Sequence, residues 1–148
     1  MTDEDFKKTR TLGEKAQAKA IEWLRGEHPT IRSVEGDVGG YDLYDNTGYK
    51  VEVKFDSLSE NTSNVAIEFS SMDKPSGIEV TIANDWLHIF KYKNKWVYVL
   101  VPVSTLRAFI RSNEQFLPVT SGGFKNYSKM VLIPKNIIAN NFGVIDIV

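Results

Sequence analysis

Cysteine is absent from the 148 residues of this sequence, which excludes disulfide bonds, thiolate zinc sites and cysteine nucleophiles. That absence fits a reducing compartment. Long apolar runs are absent as well, and the acidic start at residues 1–5 is unlike the basic start of a signal peptide. We therefore expect a soluble, cytoplasmic protein without a membrane partner.

The sequence also lacks an excess of positive charge, because 18 Lys and Arg residues stand against 19 Asp and Glu, for a net charge of −1. Nucleic-acid-binding proteins usually draw much of their affinity from phosphate contacts. A binder of this composition would depend on local clusters such as Lys91, Lys93 and Lys95. The length suits one well-buried core and is short for two, so we expect a single domain over residues 1–148.

Two short extended runs around a turn form the most informative segment. Residues 40–45 and 49–55 flank a tripeptide ending in Gly48, which suits a three-residue hairpin loop with a left-handed glycine. The register that this loop sets places Asp42 opposite Glu52. Two carboxylates are therefore predicted to face each other across the hairpin.

The predicted pair is unfavourable by itself, since like charges directly opposite on a sheet are destabilising, and such choices concentrate at functional sites. Lys54 follows Glu52 by two residues, so it lies on the same face of the strand. Oxygen ligands without a nearby thiolate or histidine favour Mg²⁺ or Mn²⁺. We interpret Asp42, Glu52 and Lys54 as a candidate metal and phosphate site in which a water is the nucleophile. The alternative is a solvated strand face on which Lys50 and Lys54 neutralise the two carboxylates.

These motifs resemble a known family. The segments Gly40-Tyr41-Asp42-Leu43 and Val51-Glu52-Val53-Lys54 resemble the core of the PD-(D/E)xK nuclease superfamily, which includes restriction endonucleases, Holliday junction resolvases and many phage nucleases. Tyr41 stands where that superfamily often has proline. The resemblance implies an α/β fold with a restriction endonuclease-like αβββαβ core, in which helices flank a mixed β-sheet. It also implies Mg²⁺- or Mn²⁺-dependent cleavage of DNA by a phage-type protein acting inside a host cell.

A long helix is predicted from Asp3 to Arg25. Its apolar stripe, at helical spacing, comprises Ala16, Ala20, Leu24, Ile21 and Trp23. Glu14 borders this stripe and could reach the sheet. In similar nucleases a helix glutamate completes the metal site, and a backbone oxygen at the position of Val53 is a further ligand. The alternative for Glu14 is a surface carboxylate paired with Arg10.

Further candidates follow the hairpin. Residues 65–70 alternate as a strand whose Glu68 faces away from the core. If this strand neighbours that of Lys54, Glu68 could add a metal ligand or orient a water. The alternative is a half-exposed strand glutamate without a role in the site. Ser76 and Gly77 form a turn whose backbone N–H groups, with Lys74 beside them, would make a clamp for DNA phosphate.

The remaining elements are predicted from periodicity and caps. Thr81 is predicted to cap a helix over residues 83–90 that buries Trp86 and Phe90 and turns His88 to another face. The stretch from Ser76 to Trp86 is similar to phage-type members of the superfamily. Further predictions are a central strand over 95–102, a helix over 105–111 capped by Ser104, a strand over 130–134 and an edge strand over 144–148.

The function these features favour is a divalent-metal-dependent DNA endonuclease. Asp42 and Glu52 would hold one or two metal ions, Glu14 would complete the shell, and Lys54 would orient the water or stabilise charge at phosphorus. One alternative is a Holliday junction resolvase, which would be a homodimer that prefers four-way junctions. Others are a catalytically inactive DNA-binding module and an interaction protein that binds neither metal nor DNA.

Overall fold

The computed structural model describes residues 3–36, 39–122, 125 and 127–147. Within these residues the chain forms two β-sheets and three α-helices. The ten described strands are β1 (Arg32–Ser33), β2 (Leu43–Tyr44), β3 (Lys50–Phe55), β4 (Asn64–Ser71), β5 (Lys74–Pro75), β6 (Asp85–Tyr92), β7 (Lys95–Pro102), β8 (Val119–Gly122), β9 (Ser128–Pro134) and β10 (Ile145–Asp146). The helices are α1 (Asp3–Leu24), α2 (Val103–Asn113) and α3 (Lys135–Phe142). No helix of this described part is long and apolar enough to cross a membrane.

The first sheet has six strands in the order β1-β2-β3-β6-β7-β10, and the second has four in the order β5-β4-β9-β8. In the first sheet β3 and β6 are parallel, whereas the other neighbours are antiparallel. The predicted α/β class with a mixed sheet is therefore confirmed. The edge strand predicted over 144–148 is confirmed at Ile145–Asp146, where β10 is the outermost strand beside β7, and residue 148 lies outside the described residues.

The predicted helix over residues 83–90, with Thr81 as its cap, is wrong, because this segment belongs to strand β6. Side chains on both faces of β6 are buried, from Trp86 and Phe90 on one face to Leu87 and Ile89 on the other. A strand buried on both faces reads as a continuous apolar run, which periodicity alone does not distinguish from a buried helix. The connection from β3 to its parallel neighbour therefore runs through the second sheet, and the αβββαβ core is not confirmed.

Helix α1 ends one residue before the predicted Arg25 and packs on the first sheet through Ala16, Ala20 and Leu24, which are buried. Trp23 is a correction to the predicted stripe, because its side chain is 43% exposed. Its ring packs edge-on against Tyr98 with 5.0 Å between centroids. The helix thus covers the sheet with small side chains, which allow a close approach.

The other two helices follow strands directly. Helix α2 begins at Val103, so Ser104 lies inside it and is not its cap, and Pro102 occupies the cap position. Helix α3, which was not predicted, buries Ile138. Both helices pack with the second sheet on the side of the first sheet opposite α1.

The core has two layers, one on each side of the first sheet. On one side α1 packs with Val51 and Leu87, and on the other β4 and β9 pack with Trp86 and Phe90. Because side chains alternate along a strand, the burial of Val51 against α1 turns Glu52 and Lys54 of β3 towards the second layer. The fold thus directs the candidate site to the side of the sheet away from α1.

Candidate functional site

The hairpin register predicted from the loop is confirmed. Leu43 pairs with Val51 and Tyr44 with Lys50, so the same register continued by one residue places Asp42 opposite Glu52. Gly48 has φ +93°, the left-handed conformation that ends a three-residue loop without strain only in glycine. The local sequence of the turn therefore determines which side chains meet.

Asp42 immediately precedes β2, next to the paired residues of β2 and β3. Its N–H donates to the carbonyl of Val51 at 2.9 Å, and its Oδ2 accepts from the N–H of Val53 at 2.8 Å. These two bonds anchor both the backbone and the carboxylate of Asp42 to β3. The carboxylate is thereby held over the strand that carries Glu52.

Glu52 and Lys54 are adjacent on one face of β3, with 3.2 Å between Lys54 Nζ and Glu52 Oε1. The Glu52 side chain is only 13% exposed, whereas that of Lys54 is 40% exposed. Burial raises the pKa of Glu52, the nearby Asp42 carboxylate raises it further, and Lys54 partly offsets both effects. The two carboxyl groups thus share a recess that one ammonium does not fully neutralise.

Glu14 is an exposed residue of α1, the helix on the side of the first sheet away from Glu52 and Lys54. It follows Gly13, where an added Cβ would lie 3.3 Å from the ring of Phe55. Among the described residues, no group of three or more His, Cys, Asp or Glu side chains is placed to hold a metal ion. The structure therefore brings together Asp42 and Glu52, and a role for Glu14 stays a prediction.

Glu68 lies in the second sheet and not beside β3, so the condition for its predicted role as a neighbouring-strand ligand is not met. Its side chain nevertheless lines a cavity together with Lys54. Ser76 Oγ donates to Glu68 Oε2 at 3.1 Å, and the Ser76 N–H donates to the carbonyl of Phe69 at 3.0 Å. Gly77, with φ +54°, packs so tightly that a Cβ would lie 2.2 Å from the Glu68 carbonyl oxygen.

In the predicted phosphate clamp, the N–H and the hydroxyl of Ser76 both form hydrogen bonds within the protein, and Gly77 packs against β4. Lys74 is exposed in β5, opposite Ser71. Phosphate binding by Lys74, Ser76 and Gly77 stays a prediction.

A buried hydrogen-bonded chain of three side chains was missed by the sequence analysis. The indole N–H of Trp86 donates to His88 Nδ1 at 3.2 Å, and His88 Nε2 lies 3.1 Å from Asp56 Oδ2. Because an indole nitrogen only donates, His88 Nδ1 must accept, and its Nε2–H then donates to Asp56. These hydrogen bonds were not predicted, because the expected helix puts Trp86 and His88 on different faces. A period of two, which places both residues on one face, would have found them.

Asp56 ties this chain to the rest of the fold. Its two oxygens also accept from the backbone N–H groups of Ser59 at 3.1 Å and Ala66 at 3.1 Å. Burial alone would raise the pKa of Asp56, but the hydrogen bonds from His88 and the two amides outweigh it and lower the pKa. Asp56 is therefore held as a carboxylate, and it fixes the orientation of His88.

A cavity of about 210 Å³ lies beside Lys54. Its lining includes Lys54, Asp56, Glu68, Trp86, His88 and Met130. The β3–β6 register pairs Lys54 with His88 and Glu52 with Trp86, so strand residues flanking the carboxylate recess also border the cavity. Lys54 is thus shared by the recess and the cavity.

Compared with known proteins, the chain matches no protein-family model and no curated protein. A functional assignment for the site therefore depends on its own geometry and chemistry.

Proposed function

We propose that this protein is a divalent-metal-dependent endonuclease that hydrolyses phosphodiester bonds of DNA. The observation that carries the proposal is the recess in which Asp42 and Glu52 face each other with Lys54 Nζ 3.2 Å from Glu52 Oε1. A phosphodiester is anionic and resists attack, so its hydrolysis calls for an activated water and for positive charge near the phosphorus. This recess offers carboxylates for a cation and an ammonium for the phosphate.

The donor set suits Mg²⁺ or Mn²⁺. Carboxylate oxygens are the ligands these ions prefer, and sites for Mg²⁺ commonly use one or two carboxylates and keep several waters. The raised pKa of Glu52 supports the same view, because burial beside a second carboxylate leaves the pair short of positive charge. By its resemblance to the nuclease superfamily, the backbone oxygen of Val53 would be a further ligand. The bound ion would supply a more acidic water and neutralise charge on the phosphate.

The side chains have separate tasks in this proposal. Asp42, fixed by the Val53 N–H, and Glu52 set the position of the cation. Lys54 donates its ammonium hydrogens to a phosphate oxygen or to the attacking water, which places the water in line with the bond to be broken. The water gives up a proton to solvent as its oxygen forms the new bond to phosphorus, the bond from phosphorus to the leaving oxygen breaks, and the leaving oxygen takes up a proton from solvent.

A cleavage assay with Mn²⁺ on duplex, single-stranded and branched DNA tests the proposal. We expect wild-type protein to cut at least one substrate, and we expect Asp42→Asn, Glu52→Gln and Lys54→Met each to abolish cutting while keeping the fold. Lys19→Met is the matched control for lysine, since Lys19 is exposed on α1, on the other side of the first sheet. Unchanged cleavage by Asp42→Asn would refute the assignment. A strong preference for four-way junctions by a dimer would identify a resolvase.

A further inference from the structure

Lys54 both forms the ion pair with Glu52 and lines the cavity of about 210 Å³. A phosphate that contacts the Lys54 ammonium would therefore have a neighbouring nucleoside at the mouth of the cavity. The volume is below the roughly 300 Å³ at which pockets for drug-sized ligands begin, which suits a single heterocycle.

One wall of the cavity is apolar and adaptable. Trp86 and Met130 contribute to this wall, together with the small side chain of Ala66. The Met130 methyl group packs against Gly122, where an added Cβ would lie 2.4 Å from Met130 Cε and would require the Met130 side chain to move. A polarisable thioether makes favourable contacts with aromatic rings, so this wall suits a planar base.

The polar part of the lining includes two carboxylates, those of Asp56 and Glu68, beside Lys54, Ser57 and His88. Glu68 is held in place by the Ser76 hydroxyl and by the close packing of Gly77 against its backbone. The Asp56 carboxylate is already occupied by His88 and two backbone amides. Glu68 thus has acceptor capacity for a ligand, since an ionised carboxylate has about four lone-pair sites and Ser76 uses one of them. A carboxylate here repels phosphate and accepts hydrogen bonds from an amino group.

We propose that the cavity binds one unpaired base carrying an exocyclic amino group, such as cytosine, next to the scissile phosphate, and that the substrate is therefore single-stranded DNA. Carboxylate side chains accept hydrogen bonds from the cytosine amino group. In a duplex that amino group is paired and the base is stacked, so it would have to be extruded before it could enter. The substrate class rests on the proposed nuclease function, whereas base binding by the cavity does not.

A metal-free NMR titration tests base binding separately from catalysis. The probes are deoxycytidine monophosphate and thymidine monophosphate, which carries no exocyclic amino group, and the signals are the methyl groups of Met130 and Met72. We expect the cytidine probe to shift the Met130 signal and leave that of Met72, which is 66% exposed in a turn, unchanged. Glu68→Leu should weaken this binding at least about tenfold, the factor expected for losing a hydrogen bond to a charged group. No Met130 shift, or equal shifts with both probes, would overturn the assignment.

Cleavage in Mn²⁺ tests the substrate class. We expect a single strand rich in cytosine to be cut at least about tenfold faster than the same sequence in a duplex. Ala66→Leu, which fills the cavity, should remove that preference, whereas the exposed-site control Glu60→Gln should keep it. Equal or faster cutting of duplex would overturn the single-strand assignment and leave the nuclease proposal standing. Base binding without cutting of any substrate would remove the nuclease function and, with it, the substrate class.

Discussion

Replacing Glu52 by Gln should stabilise the metal-free protein, although it removes a residue of the candidate site. The substitution keeps the shape of the side chain and deletes one of two carboxylates that face each other in a recess where Glu52 is only 13% exposed. Burial and the Asp42 carboxylate both raise the pKa of Glu52, so its charged form is the disfavoured one in the folded state. Removing that charge therefore relieves a cost of folding.

The size of the effect follows from the neighbours. Unfavourable cross-strand pairs cost roughly 0.2–1 kcal/mol, and Lys54 at 3.2 Å already offsets part of this cost. We expect a gain of about 0.2–1 kcal/mol, which raises the Tm of a protein of this length by at most about 4 °C. The gain should vanish below the ordinary Glu pKa of 4.5 and grow as the pH rises through the raised pKa of the folded state.

In Mn²⁺ the wild-type protein should be more stable than Glu52→Gln, which reverses their order without metal. At a concentration 100 times its Kd, an ion that binds only the folded state contributes about 2.7 kcal/mol, which corresponds to roughly 5–11 °C in Tm. We expect wild-type protein to show this shift and Glu52→Gln to lose most of it. Differential scanning calorimetry at pH 7.5, in EDTA and then in Mn²⁺, measures both effects, with the exposed Glu60→Gln as control. A lower Tm of Glu52→Gln in EDTA, or a full Mn²⁺ shift in this variant, would refute the reasoning.

Three further substitutions test the contacts around the site by urea unfolding. Asp42→Ala should lower the free energy of unfolding by about 1–3 kcal/mol, because it leaves the Val53 N–H without its acceptor. Asp42→Asn keeps an oxygen there and should lower it less. Equal losses in the two variants would contradict this. Asp56→Asn should lower the free energy of unfolding by about 2–3 kcal/mol at pH 7. This difference from wild type should shrink as the pH falls below 3.8 towards the lowered pKa of folded Asp56. A difference that does not change with pH would count against the hydrogen-bonded carboxylate. Gly77→Ala should cost more than about 2 kcal/mol because of its clash, and more than Gly36→Ala, which has φ +78° in open space; equal costs would exclude the close packing.

The part of the site that was predictable depends on local rules. The three-residue loop ending in Gly48 sets the register, and the period of two along β3 puts Glu52 and Lys54 on one face, so a few neighbouring residues determine their proximity. The apolar spacing of Ala16, Ala20 and Leu24 likewise predicted α1 to within one residue at its end. These features need no knowledge of the rest of the chain.

The part that was not predictable depends on distant contacts. Burial of β6 on both faces erases the alternation that marks a strand, and this led to a predicted helix and to a wrong face for His88. The partner of His88 is Asp56, which precedes it by 32 residues, and the position of Glu68 depends on a second sheet that the sequence pattern did not reveal. Tertiary packing, rather than local propensity, decides these placements.

Because the chain passes through the second sheet between β3 and β6, the carboxylate pair and the cavity form at different stages of folding. The paired carboxylates belong to a hairpin, which can close early because few residues separate its strands. Lys54 meets Trp86 and His88 only after residues 56–84 have travelled out through the other sheet and returned, and long excursions of this kind slow folding. A nascent or partly unfolded chain can therefore bring its acidic pair into register while the cavity is still unformed. Under the proposed function, the carboxylates that would hold a cation are then assembled before the cavity that would select the substrate.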